Sequence, residues 1–345
     1  MKRTYTLKTL GVIFILISCT SPTLDIETPT LEHSIAVATN TPAPSPTPIE
    51  NTATPLPSPT PELRGRSFYN ELPPSEYLTY LSTEWDFEII SLDTSYKGVL
   101  YEGLSEDLSH DGKRVISRET LDGQNAIVIF DLVKGEYIAQ YMVPECFFYY
   151  TWSPDEKSFA GSCGGGEGII VYSTETEEML QLNNWVDTYD ENLDYSNPSW
   201  SPDGKWIAYI YDTFALPHGD PADGIYLTEA ACLEVPSTCL ERTIGPILPP
   251  HTGYRLVWSP NSRYLSIVYP NGARSIYIYD LQLDQATLVA DSTERLGGLT
   301  WAYDSTRIFF SKNDDLYMLT LGDDEPILIQ ADTGYVMSYV EIPEP

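Results

Sequence analysis

Short apolar runs separated by polar turns recur along most of this chain. Runs such as 206–211 and 264–269 carry aromatic and β-branched residues at successive positions. Those residue types favour strands, and an apolar residue at nearly every position indicates a strand buried on both faces of its sheet. A hairpin of such strands needs cover on both sides to be stable. The pattern therefore predicts sheets that stack against one another.

One polar turn precedes each run, and its sequence is nearly the same each time. An aromatic or apolar residue is followed by Ser, Pro, Asp, Gly and Lys, a combination that we call the cassette. Pro presets φ, Asp bonds back to nearby backbone, and Gly tolerates the left-handed conformation, so the cassette predicts a hairpin turn. The five copies are Leu108-Ser109-His110-Asp111-Gly112-Lys113, Trp152-Ser153-Pro154-Asp155-Glu156-Lys157, Trp200-Ser201-Pro202-Asp203-Gly204-Lys205, Trp258-Ser259-Pro260-Asn261-Ser262-Arg263 and the degraded Trp301-Ala302-Tyr303-Asp304-Ser305-Thr306.

The spacing of the cassettes indicates the fold. Successive copies lie 44, 48, 58 and 43 residues apart. A period of roughly 40 to 50 residues, built of several short strands, is typical of a β-propeller with one four-stranded blade per repeat. Each cassette is followed by a third strand and then a fourth. The third strands are expected at 126–131, 168–172, 224–227, 275–280 and 315–319.

The two ends of the repeat region supply a sixth blade. Residues 76–103 provide three strands without a first one, and 335–342 provide one strand with nothing after it. Joining them closes a ring and removes free strand edges. We therefore predict an all-β, six-bladed β-propeller of four-stranded antiparallel blades, closed by N- and C-terminal strands in one blade. Seven blades would need strands that the sequence does not supply.

The cassette also resembles a known repeat. The Trp200 copy with its following strand, and the later strand Ile276-Tyr277-Ile278-Tyr279-Asp280, are similar to the TolB-type β-propeller repeat over about residues 74–342. Similar repeats occur in the non-catalytic propeller of prolyl-oligopeptidase-like enzymes and in many envelope proteins. The resemblance implies the fold and a binding role, and it implies little about the ligand.

The N-terminus predicts export. Lys2 and Arg3 precede an apolar run at 10–17 that is too short to span a bilayer, as in a secretory signal. The run ends at Leu16-Ile17-Ser18-Cys19, which resembles a bacterial lipobox. We therefore predict a lipoprotein signal peptide at 1–19 with lipidation of Cys19. An ordinary signal peptide with a chance cysteine is the alternative.

Residues 20–66 differ in composition from the rest of the chain, being rich in Thr, Pro, Ser and Ala. Such a segment cannot bury a core, and its prolines favour extended geometry. We predict a disordered tether that leads to a propeller domain at 67–345. At about 3.1 Å per residue, the tether would hold the domain on the order of 100 Å from the bilayer. A spacer with no length requirement is the alternative.

Four cysteines remain after Cys19. Cys146 and Cys163 flank the Trp152 cassette, and antiparallel register places residue 163 opposite residue 146 or 147, which is disulfide distance. Cys232 and Cys239 flank a turn-like stretch at 234–238 and could join a second hairpin. In an exported chain we predict two disulfides, with free buried thiols as the alternative. No CxxC spacing indicates zinc or redox chemistry.

Charge and motifs exclude several functions. The chain has 19 basic and 50 acidic side chains and a net charge of −31, which excludes nucleic acid as a partner because phosphate binding needs clustered Lys and Arg. Acidic clusters such as 187–194 and 220–223 do not match a calcium loop and indicate solvated loops. The sequence has no G-x-S-x-G, H-E-x-x-H or P-loop motif. We therefore predict no metal, no cofactor and no catalytic residue.

We expect ligands on the face opposite the cassette turns. The loops at 162–168, 183–197, 212–223 and 245–253 are long and varied, and such loops commonly carry binding residues. Their aromatic residues suit a peptide or sugar, although they could instead pack the loops down. The residues expected on this loop-rich face are Trp185, Tyr189, Tyr195, Phe214, His218, Asp220 and Asp223.

The predicted function is non-catalytic binding or scaffolding. We expect a monomer, lipid-anchored in the bacterial cell envelope, that binds protein, peptide or glycan. The alternative is a hydrolase or lyase acting on extracellular glycan or lactone through loop carboxylates. Three or more carboxylates converging in the central funnel would favour the enzyme, and an aromatic mouth would favour binding.

Overall fold

The computed structural model describes residues 65–81, 86–102, 107–121, 123–163, 168–182, 194–212, 223–248, 255–269 and 274–343. All of them belong to one compact unit. Within these ranges the helices are short 3-10 turns, and none has the length and apolar character needed to cross a bilayer. The helices are Tyr69–Glu71, Ala230–Glu234, Pro236–Thr238 and Leu240–Arg242.

The strands form six antiparallel sheets, and each sheet is one blade. Blade 1 contains β1 (Arg66–Ser67), β2 (Ser75–Leu81), β3 (Phe87–Ser91), β4 (Lys97–Glu102) and β25 (Tyr335–Ile342). Blade 2 contains β5 (Asp107–Leu108), β6 (Arg114–Leu121), β7 (Gln124–Asp131) and β8 (Glu136–Met142), and blade 3 contains β9 (Phe147–Trp152), β10 (Ser158–Cys163), β11 (Gly168–Ser173) and β12 (Met179–Gln181).

The remaining three blades follow in chain order. Blade 4 contains β13 (Asp194–Trp200), β14 (Trp206–Asp212), β15 (Gly224–Glu229) and β16 (Thr243–Ile244). Blade 5 contains β17 (Arg255–Trp258), β18 (Tyr264–Tyr269), β19 (Ser275–Asp280) and β20 (Gln285–Asp291). Blade 6 contains β21 (Leu296–Trp301), β22 (Arg307–Lys312), β23 (Asp315–Thr320) and β24 (Ile327–Gln330). The prediction of six four-stranded blades is confirmed.

The ring closes in blade 1, as predicted. The C-terminal strand β25 pairs with β2 from Ser75 opposite Ile342 to Leu81 opposite Tyr335. It is the innermost strand of this blade, and β2, β3 and β4 follow it outwards. The short strand β1 adds a fifth, outer strand that the sequence analysis did not predict.

The cassette forms the same turn in blades 2 to 5. In the Trp200 copy, the Ser201 hydroxyl donates to Asp203 (2.7 Å) and accepts the backbone N–H of Trp206 (2.8 Å). The Asp203 carboxylate also accepts the backbone N–H of Lys205 at 3.0 Å. Gly204 has a φ of 74°, which a glycine adopts without strain. The turn-forming roles predicted for Asp and Gly are therefore confirmed.

Cassette tryptophans link neighbouring blades. The indole N–H of Trp258 donates to the Ser199 carbonyl of blade 4 at 3.0 Å. That of Trp301 donates to the Val257 carbonyl at 3.2 Å and to the Ser266 hydroxyl at 2.9 Å, both in blade 5. Each bond ties a first strand to the preceding blade, so the large aromatic residue both fills the space between blades and fixes their spacing.

Both predicted disulfides are present, and this prediction is confirmed. Cys146 is bonded to Cys163 in blade 3, where Cys163 lies opposite Phe147. Cys232 is bonded to Cys239. This second pair lies in the connection between β15 and β16, which pair antiparallel, and the connection consists of three 3-10 helices. This insertion contributes to the long spacing between the cassettes of blades 4 and 5.

Candidate functional site

The innermost strands of the six blades surround a central channel. Its cavity has a volume of about 600 Å³ and is lined by residues of β5, β9, β13, β17, β21 and β25. In blades 3 to 6, the residue immediately before the cassette tryptophan lines the channel. The equivalent residue precedes Leu108 in blade 2 and Val340 in blade 1, which has no cassette. These residues are Asp107, Thr151, Ser199, Val257, Thr300 and Tyr339.

A second ring of positions lies two residues earlier on the same strands. Tyr149, Asn197, Arg255 and Met337 occupy it, and all four line the channel. The equivalent position in blade 6 is Gly298. These five residues, which we call the inner ring, lie three residues before the cassette tryptophan or its equivalent. They share a place in the fold and no residue type.

β-Bulges set the direction of the inner ring in four blades. The pairing register shifts at this position in β9, β13, β21 and β25. Tyr149, Asn197 and Gly298 have φ values of 48°, 51° and 42°. A bulge gives one strand an extra residue and turns its side chain away from the regular pleat. The bulges therefore set the backbone conformation at these positions, whereas Arg255 reaches the channel from β17, whose pairing shows no register shift.

Gly298 allows the closing strand β25 to approach the inner-ring position of blade 6. A Cβ atom at this residue would lie 2.3 Å from the carbonyl oxygen of Val336 on β25, and its left-handed φ also favours glycine. Close approach of β21 to the closing strand therefore requires a residue without a side chain here.

Arg255 reaches from blade 5 to the closing strand of blade 1. Its guanidinium donates to the Met337 carbonyl at 2.5 Å and to the Val336 carbonyl at 3.3 Å, both on β25. Among the described residues no carboxylate oxygen lies within 4.0 Å of this guanidinium. Burial lowers the pKa of Arg255, and the nearby charge of Asp107 acts in the opposite direction. Arg255 is thus a cation held inside the channel wall.

An aromatic pair lies where β9 enters the channel from the loop-rich face. Phe148 is 45% exposed and Tyr149 is 60% exposed. The Arg118 guanidinium lies 4.1 Å from the Phe148 ring centroid and donates to the Glu145 carbonyl at 3.1 Å. The Cys146–Cys163 disulfide holds the adjoining strand ends together. The pair is therefore presented on a braced hairpin.

The opposite end of the channel is formed by cassette turns. Pro202 and Pro260 line it together with His110 and Tyr303, which occupy the proline position in their own cassettes. His110 and Tyr303 also border a second cavity of about 380 Å³ with Glu341. Burial raises the pKa of Tyr303 to about 12, with a further contribution from the Glu341 charge. Burial lowers the pKa of His110.

The residues predicted for the loop-rich face are mostly beyond the described part of the chain. Trp185, Tyr189, Phe214, His218 and Asp220 lie outside it, as does Cys19, so their roles stay predictions. The other two, Tyr195 and Asp223, are described.

Tyr195 and Asp223 are both buried. Tyr195 belongs to β13, so the loop expected at 183–197 ends earlier than predicted. It is 2% exposed, and its ring centroid lies 4.9 Å from that of Tyr211. Asp223 is 1% exposed at the start of β15. Neither side chain is presented on the outer surface.

The described residues contain no group of three or more His, Cys, Asp or Glu side chains placed to hold a metal ion. The channel lining within these ranges includes one carboxylate, that of Asp107, and one histidine, His110. What the channel offers is a guanidinium, an amide, hydroxyls and aromatic or apolar surface. Those groups can bind and orient a ligand.

Comparison with known proteins supports the fold. No family model matches the chain, and no curated protein matches it. The crystal structure of TolB from Acinetobacter baumannii is similar, with a TM-score of 0.55 and 14% identity over 78% of this chain. This chain covers 66% of that structure. A functionally unknown protein from Desulfotomaculum acetoxidans gives a TM-score of 0.49, with 10% identity over 79% of this chain and 91% of that one.

The blades, their closure and the channel define a six-bladed β-propeller. Its fold is that of a TolB-like propeller, as the cassette sequence predicted.

Proposed function

We propose that this protein is a binding module of the bacterial cell envelope. Lipid on Cys19 would anchor it, and the predicted tether at 20–66 would act as a spacer that ends before Arg66, since Arg66 belongs to β1. The propeller would bind protein, peptide or glycan without chemistry of its own. The observation that carries the proposal is the central channel, into which the inner ring presents four different side chains, from blades 1, 3, 4 and 5. A rigid scaffold that displays varied side chains is suited to recognition.

The composition of the channel favours binding over hydrolysis. A glycan or lactone hydrolase or lyase would bring several carboxylates together. The described lining contains one carboxylate, that of Asp107. The mouth at β9 is aromatic, with Phe148 and Tyr149 largely accessible. Aromatic side chains supply contact area for peptide or sugar at low entropic cost.

The conformation of Tyr149 supports a ligand contact at this mouth. A bulky residue with positive φ costs on the order of 1 to 3 kcal/mol. Tyr149 has a φ of 48° and is 60% exposed, so packing of its own ring repays little of that cost. Backbone strain retained at an exposed aromatic residue is a feature of ligand-binding positions.

The two disulfides support an extracytoplasmic location, because disulfides persist in oxidising compartments. Anchoring is tested by comparing the full chain with its Cys19→Ser variant. We expect the acylated full chain in the membrane fraction and the variant in the soluble fraction, with mass spectrometry locating the lipid on Cys19. Equal membrane association of the two proteins would contradict lipidation as the anchor.

Ligand binding is tested by site-specific photo-crosslinking in cells that make the full chain. Benzoylphenylalanine replaces either Tyr149, at the channel mouth, or Leu283, on the turn between β19 and β20. Both native side chains are 60% exposed, so the two probes meet solvent equally. We expect a discrete adduct from position 149 alone, and we expect the Trp185→Ala/Phe214→Ala double variant to reduce it.

Two results would count against the proposal. Equal adducts from positions 149 and 283 would indicate random collision, and no adduct at position 149 would indicate an unoccupied channel. Retention of the adduct in the Trp185→Ala/Phe214→Ala variant would restrict binding to the channel and remove the loop-rich face from the site.

A further inference from the structure

Arg255 differs from the arginines of this protein that bind a carboxylate. On the outside of blade 5, Arg263 donates from Nε and Nη2 to the carboxylate of Asp280, at 3.1 and 2.6 Å. Arg307 likewise donates from Nε to Asp304 at 2.6 Å. In Arg255 the Nη1 and Nη2 groups bond to main-chain carbonyls, and Nε makes no hydrogen bond to a described residue.

The contacts that Arg255 makes with described residues satisfy part of its hydrogen-bonding capacity. A guanidinium has five N–H groups. Bonds to two carbonyl oxygens and a contact from Nη1 to the Met337 sulfur at 3.4 Å leave at least two of them for another acceptor. The carbonyls carry partial charge only, so the positive charge is not neutralised by a described contact partner. Arg255 is partly buried, and the Asp107 carboxylate in the same lining favours its charge without contacting it. A carboxylate in direct contact would stabilise the cation further.

The channel offers this cation to a ligand. Arg255 lines the cavity with Tyr149, Asn197 and Met337 as the other inner-ring side chains. We propose that the channel recognises a carboxylate of a bound peptide, which Arg255 would hold through two charge-assisted hydrogen bonds. This inference rests on the proposed binding function and names the chemistry that the binding requires. Planar guanidinium and carboxylate groups match in bidentate geometry.

The rest of the lining favours a peptide over a glycan. Beside its hydroxyls and the Asn197 amide, the lining has apolar side chains, among them Val257, Met337 and Pro198. Sugar hydroxyls need a dense set of paired donors and acceptors, whereas the apolar wall suits aliphatic or aromatic peptide side chains. The acidic net charge of −31 opposes an anionic ligand at long range. Charges beyond about 8 Å are screened at physiological salt, so the local cation governs the bound state.

The first experiment observes Arg255 directly with small probes. The Nε–H signals of the ¹⁵N-labelled full chain are recorded during titration with acetate and, separately, with acetamide at matched ionic strength. Arg255→Lys identifies the Arg255 signal. Arg263 is the internal control, since Asp280 already occupies its Nε. We expect acetate to shift the Arg255 signal saturably, acetamide to leave it unchanged, and the Arg263 signal to stay in place under both.

The second experiment asks which carboxylate is bound. Four pools of random synthetic hexapeptides are compared. Two differ in the C-terminus, which is a free carboxylate or an amide, and two amidated pools differ in one residue, which is Glu or Gln. We expect a carboxylate-bearing pool to bind the full chain roughly 10- to 100-fold more tightly than its neutral match, as for a hydrogen bond to a charged group. The preferred pool distinguishes a chain terminus from an acidic side chain.

The variant Arg255→Lys keeps the charge and loses the planar fork, so we expect most of the preference for carboxylate to disappear. Because Arg255 also bonds to β25, the thermal unfolding midpoint of the variant is measured alongside. The wild-type peptide comparison needs no variant, so a destabilised Arg255→Lys protein leaves the test intact.

The outcomes separate this inference from the proposed function. Equal binding of neutral and anionic pools, or an Arg255 signal that ignores acetate, would overturn carboxylate recognition and leave peptide binding standing. Failure of every pool to bind, together with loss of the adduct at position 149, would overturn the binding function. Binding of an oligosaccharide of hexuronic acids with no peptide pool retained would overturn the choice of a peptide.

Discussion

Replacing Trp301 with Phe should loosen the contact between blades 5 and 6 more than the same change at Trp200 affects its surroundings. Both indoles are buried beside a cassette turn. The Trp301 N–H donates across the blade interface to Val257 and Ser266. Among the described residues, the Trp200 N–H reaches only the Gly204 carbonyl of its own turn, at 3.4 Å. The pair therefore isolates the bond between blades.

The expected magnitudes follow from these contacts. Each substitution removes two buried ring carbons, which costs about 1.5 kcal/mol. At Trp301 the lost hydrogen bonds add about 1 to 2 kcal/mol, the lower part of the usual range, because the Val257 carbonyl keeps the Ser266 hydroxyl as a donor at 2.8 Å. The Trp301→Phe variant should thus lose about 2.5 to 3.5 kcal/mol, and Trp200→Phe about 1.5 kcal/mol.

Thermal unfolding of the full chain, followed by near-ultraviolet circular dichroism, measures the difference. A cost of 1 kcal/mol lowers the midpoint of a domain of this size by about 2 to 4 °C, so Trp301→Phe should melt about 2 to 8 °C below Trp200→Phe. Equal midpoints would show that indole bulk alone stabilises the blade contacts. A lower midpoint for Trp200→Phe would refute the role assigned to the bond.

Four further variants test an ion pair, the two disulfides and the channel. Hydrogen bonds from Arg263 lower the pKa of Asp280 below 3.8, so the ionised carboxylate stabilises the fold at neutral pH and this effect is lost on acidification. The Asp280→Asn variant should therefore lower the melting midpoint at pH 7 and lower it much less at pH 2. Equal losses at the two pH values would contradict this. Replacing both cysteines of the blade 3 disulfide, which closes a loop of 17 residues, should lower the free energy of unfolding by about 3 kcal/mol. The same change at the blade 4 disulfide, which closes a loop of 7 residues, should lower it by about 2 kcal/mol. Melting midpoints in the reverse order would contradict this ranking. Tyr149→Gly should relieve positive φ and keep or raise the melting midpoint while weakening ligand capture; a marked loss of stability would show that the ring is structural.

The sequence predicts most of the fold because the cassette contains its own turn chemistry. Ser, Asp and a left-handed residue form the turn through contacts within six residues, so each copy marks a hairpin wherever it occurs. Spacing then counts the blades, and unpaired strands at the two ends predict closure. The disulfide of blade 3 follows from the same register, because the turn fixes which residues lie opposite one another.

The channel site was not predicted, because its residues share no sequence pattern. The inner ring consists of Tyr, Asn, Arg, Met and Gly, and its bulges depend on pairing between strands. Aligning the cassettes and reading three residues before each tryptophan would have located it. The 3-10 helices of blade 4 and strand β1 were missed for a similar reason, since neither contains a cassette.

The two ends of each inner strand therefore have different tasks. At the cassette end, Ser and Asp bond within their own turn and fix the strand, whatever side chain faces the channel. At the other end, the structure tolerates an aromatic ring, an amide or a thioether where a bulge occurs, and a guanidinium at the same place in β17, which has no bulge. Because the stabilising contacts and the channel-facing residue are separate, ligand preference can change at the inner ring with little effect on the ring of blades. Arg255 is the exception, since its bonds to β25 couple the ligand site to the strand that closes the propeller.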